Sequence, residues 1–160
     1  MPHWPRSEYA FVQRGGSKQG RVPDVTPERT ANEKTPERPR ILVVEDDFFV
    51  SLEIEAALLD AGFDVVGPAN TAEDAERYAA EQKPDLVVMD IRLLSRRDGV
   101  EAALSIFRTT GIRSIFATAH DDPHTRARAI DAKPLGWIAK PYAMPALVAL
   151  VRVALKDVKN

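Results

Sequence analysis

The feature that most constrains this chain is an alternation of five short apolar, β-rich runs with stretches of helical periodicity. The runs are Ile41–Val44, Phe63–Val66, Leu86–Met89, Ile112–Phe116 and Trp137–Ala139, several of them unbroken by any polar residue. A strand without a polar face has no side to turn to water, so it must be covered on both faces, which is the usual condition of a parallel sheet. The covering helices are predicted at about 48–61, 72–82, 99–109, 123–131 and 143–157. Thr71 and Asp98 stand where they would cap the second and third, and Asp122 before Pro123 marks the start of the fourth. Five βα units joined by right-handed crossovers predict a three-layer α/β sandwich, although periodicity alone leaves the strand order open.

Residues 1–39 do not share this pattern. They hold 6 of the 12 prolines and 3 of the 8 glycines without a sustained hydrophobic period, and read as a disordered extension. Their apolar residues, Trp4, Tyr9, Phe11 and Val12, suit either a docking peptide or a loose tail. Residues 40–160 read as one domain with 15 basic and 19 acidic side chains, net −4. For the whole chain, 22 basic against 24 acidic groups give −2, which offers no electrostatic case for nucleic acid. The absence of cysteine excludes disulfides, Cys-ligated zinc, iron–sulfur clusters and a thiol nucleophile, and permits a cytoplasmic address. No stretch approaches the roughly 18 apolar residues of a membrane span, and MPHWPRSEYAF lacks the apolar core of a signal peptide. The domain pattern runs almost to Asn160, so the expectation is a stand-alone module whose output passes through another protein.

Ligands of open parallel sheets bind beyond the C-terminal ends of the strands. Glu45-Asp46-Asp47 follows the first run, Asp90 the third, Thr118 the fourth and Lys140-Pro141 the fifth. Carboxylates gathered at one edge raise one another's pKa unless a cation sits among them, and an oxygen-only donor set suits Mg²⁺. The Thr118 hydroxyl can donate to a phosphoryl oxygen, and the Lys140 ammonium can neutralise its charge. Each piece alone has a plain structural explanation, as a helix cap, a β-prone residue or a solvated lysine. In combination they describe phosphoryl transfer.

The strings ILVVEDD, DLVVMDIRL followed by DGVEAA, FATA and GWIAKPY carry a resemblance, over about residues 40–158, to the receiver domain of bacterial two-component response regulators. The resemblance implies a flavodoxin-like sandwich with five helices and a five-stranded parallel sheet of order 2-1-3-4-5. It implies that Asp90 is the phosphoacceptor, that Glu45 and Asp46 bind Mg²⁺ with Asp90 and the backbone carbonyl of Arg92, and that Asp47 caps the next helix. By the same resemblance Thr118 is the switch hydroxyl, Lys140 binds the phosphoryl group through a cis Lys-Pro segment, and Trp137 occupies the place of the switch aromatic. Arg92 and His120 fall where receivers tune the lifetime of the phosphoryl group. The implied partners are a histidine kinase or histidine phosphotransferase and a downstream protein, and the implied role is signalling rather than enzymatic turnover.

Three departures stand out. Trp137 replaces the usual Tyr or Phe, which leaves the threonine–aromatic coupling open. Asp90 to Asp98 is one residue longer than the commonest spacing and lacks the usual loop proline. Phe116-Ala117-Thr118 resembles the FAT motif of a group of alphaproteobacterial single-domain regulators, with Ala119 where glycine is expected. Two other classes fit the residues less well. A Mg²⁺ phosphatase of haloacid-dehalogenase type needs Asp at position 48, which is Phe, and a Toprim-like site needs an Asp-x-Asp that Asp90-Ile91-Arg92 breaks. A phosphorylation-independent binding module would not need the full acidic, Thr and Lys set.

Helical spacing also predicts surfaces. Val50, Ile54, Ala57, Leu58 and Ala61 form the inner face of the first helix, and Phe48, Leu52 and Leu59 share an outward arc suited to docking the phosphodonor protein. In the last helix Leu147, Leu150, Val151, Ala154 and Val158 are expected inside, with Ala149, Arg152, Val153 and Lys156 outside as a solvated face or a homodimer surface. His120 and His124 are four apart, but their HDDPHTR segment reads as a loop entering a helix, not a zinc site.

Overall fold

The structure, a computed structural model, describes residues 37–119 and 121–158. The expected disorder of 1–39 and the lifetime role of His120 therefore concern positions outside the described residues, except that 37–39 lead irregularly into the first strand. The strands are β1 (Arg40–Val44), β2 (Asp64–Ala69), β3 (Leu86–Asp90), β4 (Ser114–Thr118) and β5 (Gly136–Ala139). They alternate with α1 (Phe48–Asp60), α2 (Ala72–Gln82), α3 (Gly99–Thr110), α4 (Pro123–Ala129) and α5 (Met144–Val158). All pairings are parallel, in the order β2-β1-β3-β4-β5, as the resemblance implied.

The sheet separates two apolar layers. Leu42, Val44, Val87, Met89 and Phe116 pack with α2, α3 and α4, while Ile41, Val43, Leu86, Val88 and Ile115 pack with α1 and α5. Both faces of β1, β3 and β4 are consumed, so these strands could carry no polar alternation. The three expected caps form. Thr71 Oγ1 accepts the Asp74 N–H, Asp98 and Glu101 build a reciprocal capping box, and Asp122 Oδ1 accepts the Thr125 N–H. Asp47 caps α1, accepting from the N–H groups of Phe49 and Val50.

The boundary differences have local causes. β2 starts after the buried Phe63 and runs on to Ala69 through an irregularity against β1, where Gly67 takes φ +104° before a cis peptide to Pro68. β4 begins at Ser114 because Gly111, with φ +75°, ends α3 and Ile112 is used in the turn, its N–H bonded to Thr110 Oγ1. The fourth helix is α-helical only to Ala129 and tightens into a 3₁₀ turn over Ile130–Ala132.

Of the predicted inner face of α1, Ile54 and Leu58 are fully buried, Val50, Ala57 and Ala61 are half-buried, and Ser51 joins the buried set through a hydrogen bond from its Oγ to the Phe48 carbonyl. Phe48, Leu52 and Leu59 are exposed as expected, and Phe49 is exposed with them at 75%. In α5 one expectation fails, since Val158 is 40% exposed and Leu155 is the buried residue near that end. Fifteen helical residues span about 22 Å against about 13 Å for the four of β5, so the helix outruns the strand beside it. Arg152, expected to face water, donates to the Ala61 carbonyl and lies over the Phe63 ring.

The two sides of α1 give a direct test. Leu58→Ala should cost about 2–5 kcal/mol in urea unfolding, whereas Leu59→Ala, one position away, should stay within about 0.5 kcal/mol.

Candidate functional site

The strand order puts β1 beside β3 at the centre of the sheet, so Glu45 and Asp46 emerge next to Asp90. Ligand oxygens of these three carboxylates lie within 4.8 Å of one another, with Glu45 and Asp90 buried and Asp46 half-buried. Lys140 reaches them from the end of β5, its Nζ 2.6 Å from Glu45 Oε2 and 3.1 Å from Asp90 Oδ2. The Lys140 N–H donates to the Thr118 carbonyl, and a cis Lys140–Pro141 bond follows. Thr118 is buried at the end of β4, and β3 pairs Asp90 with Ala117, so the threonine is one residue beyond the register partner of Asp90. The Arg92 N–H donates to Asp90 Oδ1 at 3.2 Å while the residue as a whole is exposed. Glu45, Asp46, Asp90, Arg92, Thr118 and Lys140 are thus brought to one edge; Trp137 lies deeper in β5, beside Phe116 and three residues before Lys140, and Phe48, Leu52 and Leu59 lie along the neighbouring helix.

Burial pushes the Glu45 carboxyl up to about 7, against the pull of its Lys140 hydrogen bond and with the charge of Asp90 adding to the rise. Burial works against the Lys140 charge, but its hydrogen bond to Glu45 and the charges of Asp90 and Glu45 outweigh it and lift the ammonium above the ordinary lysine value. One cation among three acids leaves a negative pocket of hard oxygen donors. That donor set fits Mg²⁺.

Two contributors were not singled out from sequence. Gly99, the first residue of α3, donates its N–H to the Ile91 carbonyl at 2.8 Å, and a Cβ there would fall 1.9 Å from the Asp90 carbonyl oxygen. Only glycine lets α3 start against the backbone at the end of β3, and the Asp98-Gly99 pair was its signal in the sequence. Tyr142, two residues past the lysine, has a buried hydroxyl without a hydrogen bond among the described residues, and burial pushes its phenol up to about 12. It lines a cleft of about 380 Å³ with Val50, Glu53, Ala119, Lys140 and Met144, on the α1 side of the site. A second cleft, about 480 Å³, opens on the other side among Arg92, Leu93, Asp98, Thr118 and Asp122.

The response regulator receiver domain family matches residues 41–152. The chain belongs to this family. It is 30% identical over 116 residues to the transcriptional regulatory protein PdtaR of Mycobacterium tuberculosis, covering 72% of this chain and 56% of that protein. It is 31% identical over 116 residues to the phyllosphere-induced regulator PhyR of Methylorubrum extorquens, covering 72% of this chain and 43% of that protein. This receiver chain therefore spans about half the length of the curated relatives it matches. Among solved structures, the signal receiver domain of a modulated diguanylate cyclase from Desulfovibrio desulfuricans G20 superposes with a TM-score of 0.71 at 33% identity, covering 76% of this chain and 97% of that one. A CheY-like receiver from Methanospirillum hungatei JF-1 gives 0.71 at 22% identity, a likeness of fold, over 76% of this chain and 97% of that one. Among the described residues no helix is long and apolar enough to cross a membrane.

The raised Glu45 pKa makes a pH prediction. The folded chain binds this proton more tightly than the unfolded chain, so the associated stability is fully present below pH 4.5 and is lost as pH rises through about 7. In metal-free buffer, the urea stability of the unsubstituted protein relative to Glu45→Gln should fall across that window; a flat or rising difference would contradict the raised value.

Proposed function

We propose that the chain is a phosphoacceptor signalling module, in which Asp90 takes a phosphoryl group from the phosphohistidine of a histidine kinase or histidine phosphotransferase. The observation that supports this reading most directly is the placement of the Asp90 carboxylate within hydrogen-bonding reach of the Lys140 ammonium, beside two further carboxylates, at a buried strand end. In the transfer an Asp90 carboxylate oxygen forms the new P–O bond while the P–N bond of the donor breaks, and its electron pair stays on the imidazole nitrogen. Lys140, already held between Glu45 and Asp90, pairs with the incoming phosphoryl oxygens, and the Thr118 hydroxyl donates to another. Glu45, Asp46, Asp90 and the Arg92 carbonyl would hold Mg²⁺, whose positive charge lets an anionic donor approach an anionic pocket.

In this reading the exposed apolar arc of α1, Phe48, Leu52 and Leu59 together with Phe49, forms the docking surface for the donor protein. Arg92 and His120 govern the phosphoryl lifetime, and the output is a changed affinity for a downstream protein in the cytoplasm. In this reading the chain signals and turns over no external substrate.

Incubation with acetyl phosphate and Mg²⁺ should add about 80 Da of hydroxylamine-labile phosphate, a group of up to about two negative charges. Asp90→Asn should take up none, and a variant labelled like the unsubstituted protein would defeat the assignment. Replacing Leu52 and Leu59 with Ser should slow transfer from a phosphohistidine protein while leaving acetyl phosphate labelling intact; equal loss by both routes would place these residues in the core of the chemistry instead of in docking.

A further inference from the structure

α4 has seven residues, fewer than an isolated helix needs to persist, so its position depends on what holds it. Its inner side contributes only Thr125 and Ala129 as buried residues. Two arginines, two residues apart, add polar and ring contacts to these. Arg128 meets Asp98 Oδ2 at 2.6 Å, with the two side chains 38% and 30% exposed. Arg126 makes two bonds to Asp121, at 2.5 and 2.6 Å, and its guanidinium lies 4.8 Å over the centre of the Trp137 ring. The Phe116 ring stacks against the same indole at 4.6 Å and 28°, Phe116 and Trp137 being register partners on β4 and β5. The indole is therefore flanked by a buried phenyl ring and by a cation.

Asp98 is not a loose surface acid. Its Oδ1 accepts the Glu101 N–H and its own N–H donates to the Glu101 carboxylate, while the adjacent Gly99 is bonded to Ile91 and packed against the Asp90 carbonyl. Its position is fixed to the end of β3. We propose that the Asp98–Arg128 ion pair is a strap that holds α4 to the start of α3, and that α4 so held keeps Arg126 over Trp137. Trp137 then serves as a fixed plate, and α4 is the part that moves. A partner that binds only when α4 is displaced must overcome the strap, so its affinity is set in part by a pair of residues it need not touch.

The test uses the full chain carrying Trp4→Phe, which leaves Trp137 as the sole fluorophore of the two tryptophans. Asp98→Asn removes the charge but keeps a side chain that caps helices as well as Asp does; Arg128→Gln removes the other partner. Each should red-shift the Trp137 emission and increase its quenching by acrylamide, with the ratio of shielded to open indole falling by up to about fivefold, as expected for an exposed ion pair. The double substitution should add nothing to either single one, Arg128→Lys should stay close to the unsubstituted protein, and Arg126→Gln should give the open reference. Far-ultraviolet circular dichroism checks that each variant is folded, and Asp98→Asn carries the test if Arg128→Gln is not. Emission and quenching unchanged in the folded single variants, or an additive double variant, would overturn the strap. None of these measurements requires a phosphodonor, so their outcome is independent of whether Asp90 accepts a phosphoryl group.

Discussion

A sheet buried on both faces is the constraint on which everything else here depends. Because β1, β3 and β4 expend every side chain on the two apolar layers, polar groups can appear only where the strands end. The parallel arrangement then puts all the C-terminal ends on one edge, and the crossovers make β1 and β3 neighbours although α1, β2 and α2 separate them in sequence. Glu45 and Asp90, 45 positions apart, become adjacent carboxylates as a consequence of strand order.

That adjacency is costly in electrostatic terms, and the site answers it with Lys140. Two buried carboxylates repel each other, and burial together with the charge of Asp90 pushes the Glu45 carboxyl up. A single ammonium bridging both, backed by the bond from the Lys140 N–H to the Thr118 carbonyl, keeps the cluster tolerable without cancelling its negative charge. The residual negative potential is of the kind that would favour a hard cation. The supporting frame is equally close-fitting, since Gly99 lets α3 begin against the end of β3 and Asp98 ties the same turn to α4.

Much of this was legible in the sequence because it is written locally. The unbroken apolar runs gave strands that needed two covers, and the capping residues Thr71, Asp98 and Asp122 marked helix starts correctly because an N-cap bond closes within three residues. The outward arc of α1 was legible for the same reason, since helical phase is a property of spacing alone. Errors came where a distant partner decided the outcome. Val158 has the spacing of an inner residue, but the strand beside it is shorter than the helix, so the side chain is left exposed.

The sequence by itself determined which residue types stand at the strand ends and therefore the family, through the strings around Asp90, Thr118 and Lys140 and through the hydrophobic period that locates them. Only the tertiary structure decided which of those groups touch. The bridging of Glu45 and Asp90 by one lysine, the requirement for glycine at position 99 and the enclosure of Trp137 between Phe116 and Arg126 are all contacts across strands or between a helix and the sheet. Periodicity records which way a side chain faces within its own element, whereas a contact depends on how two elements are placed relative to each other, and that placement is fixed only when the layers close over the sheet.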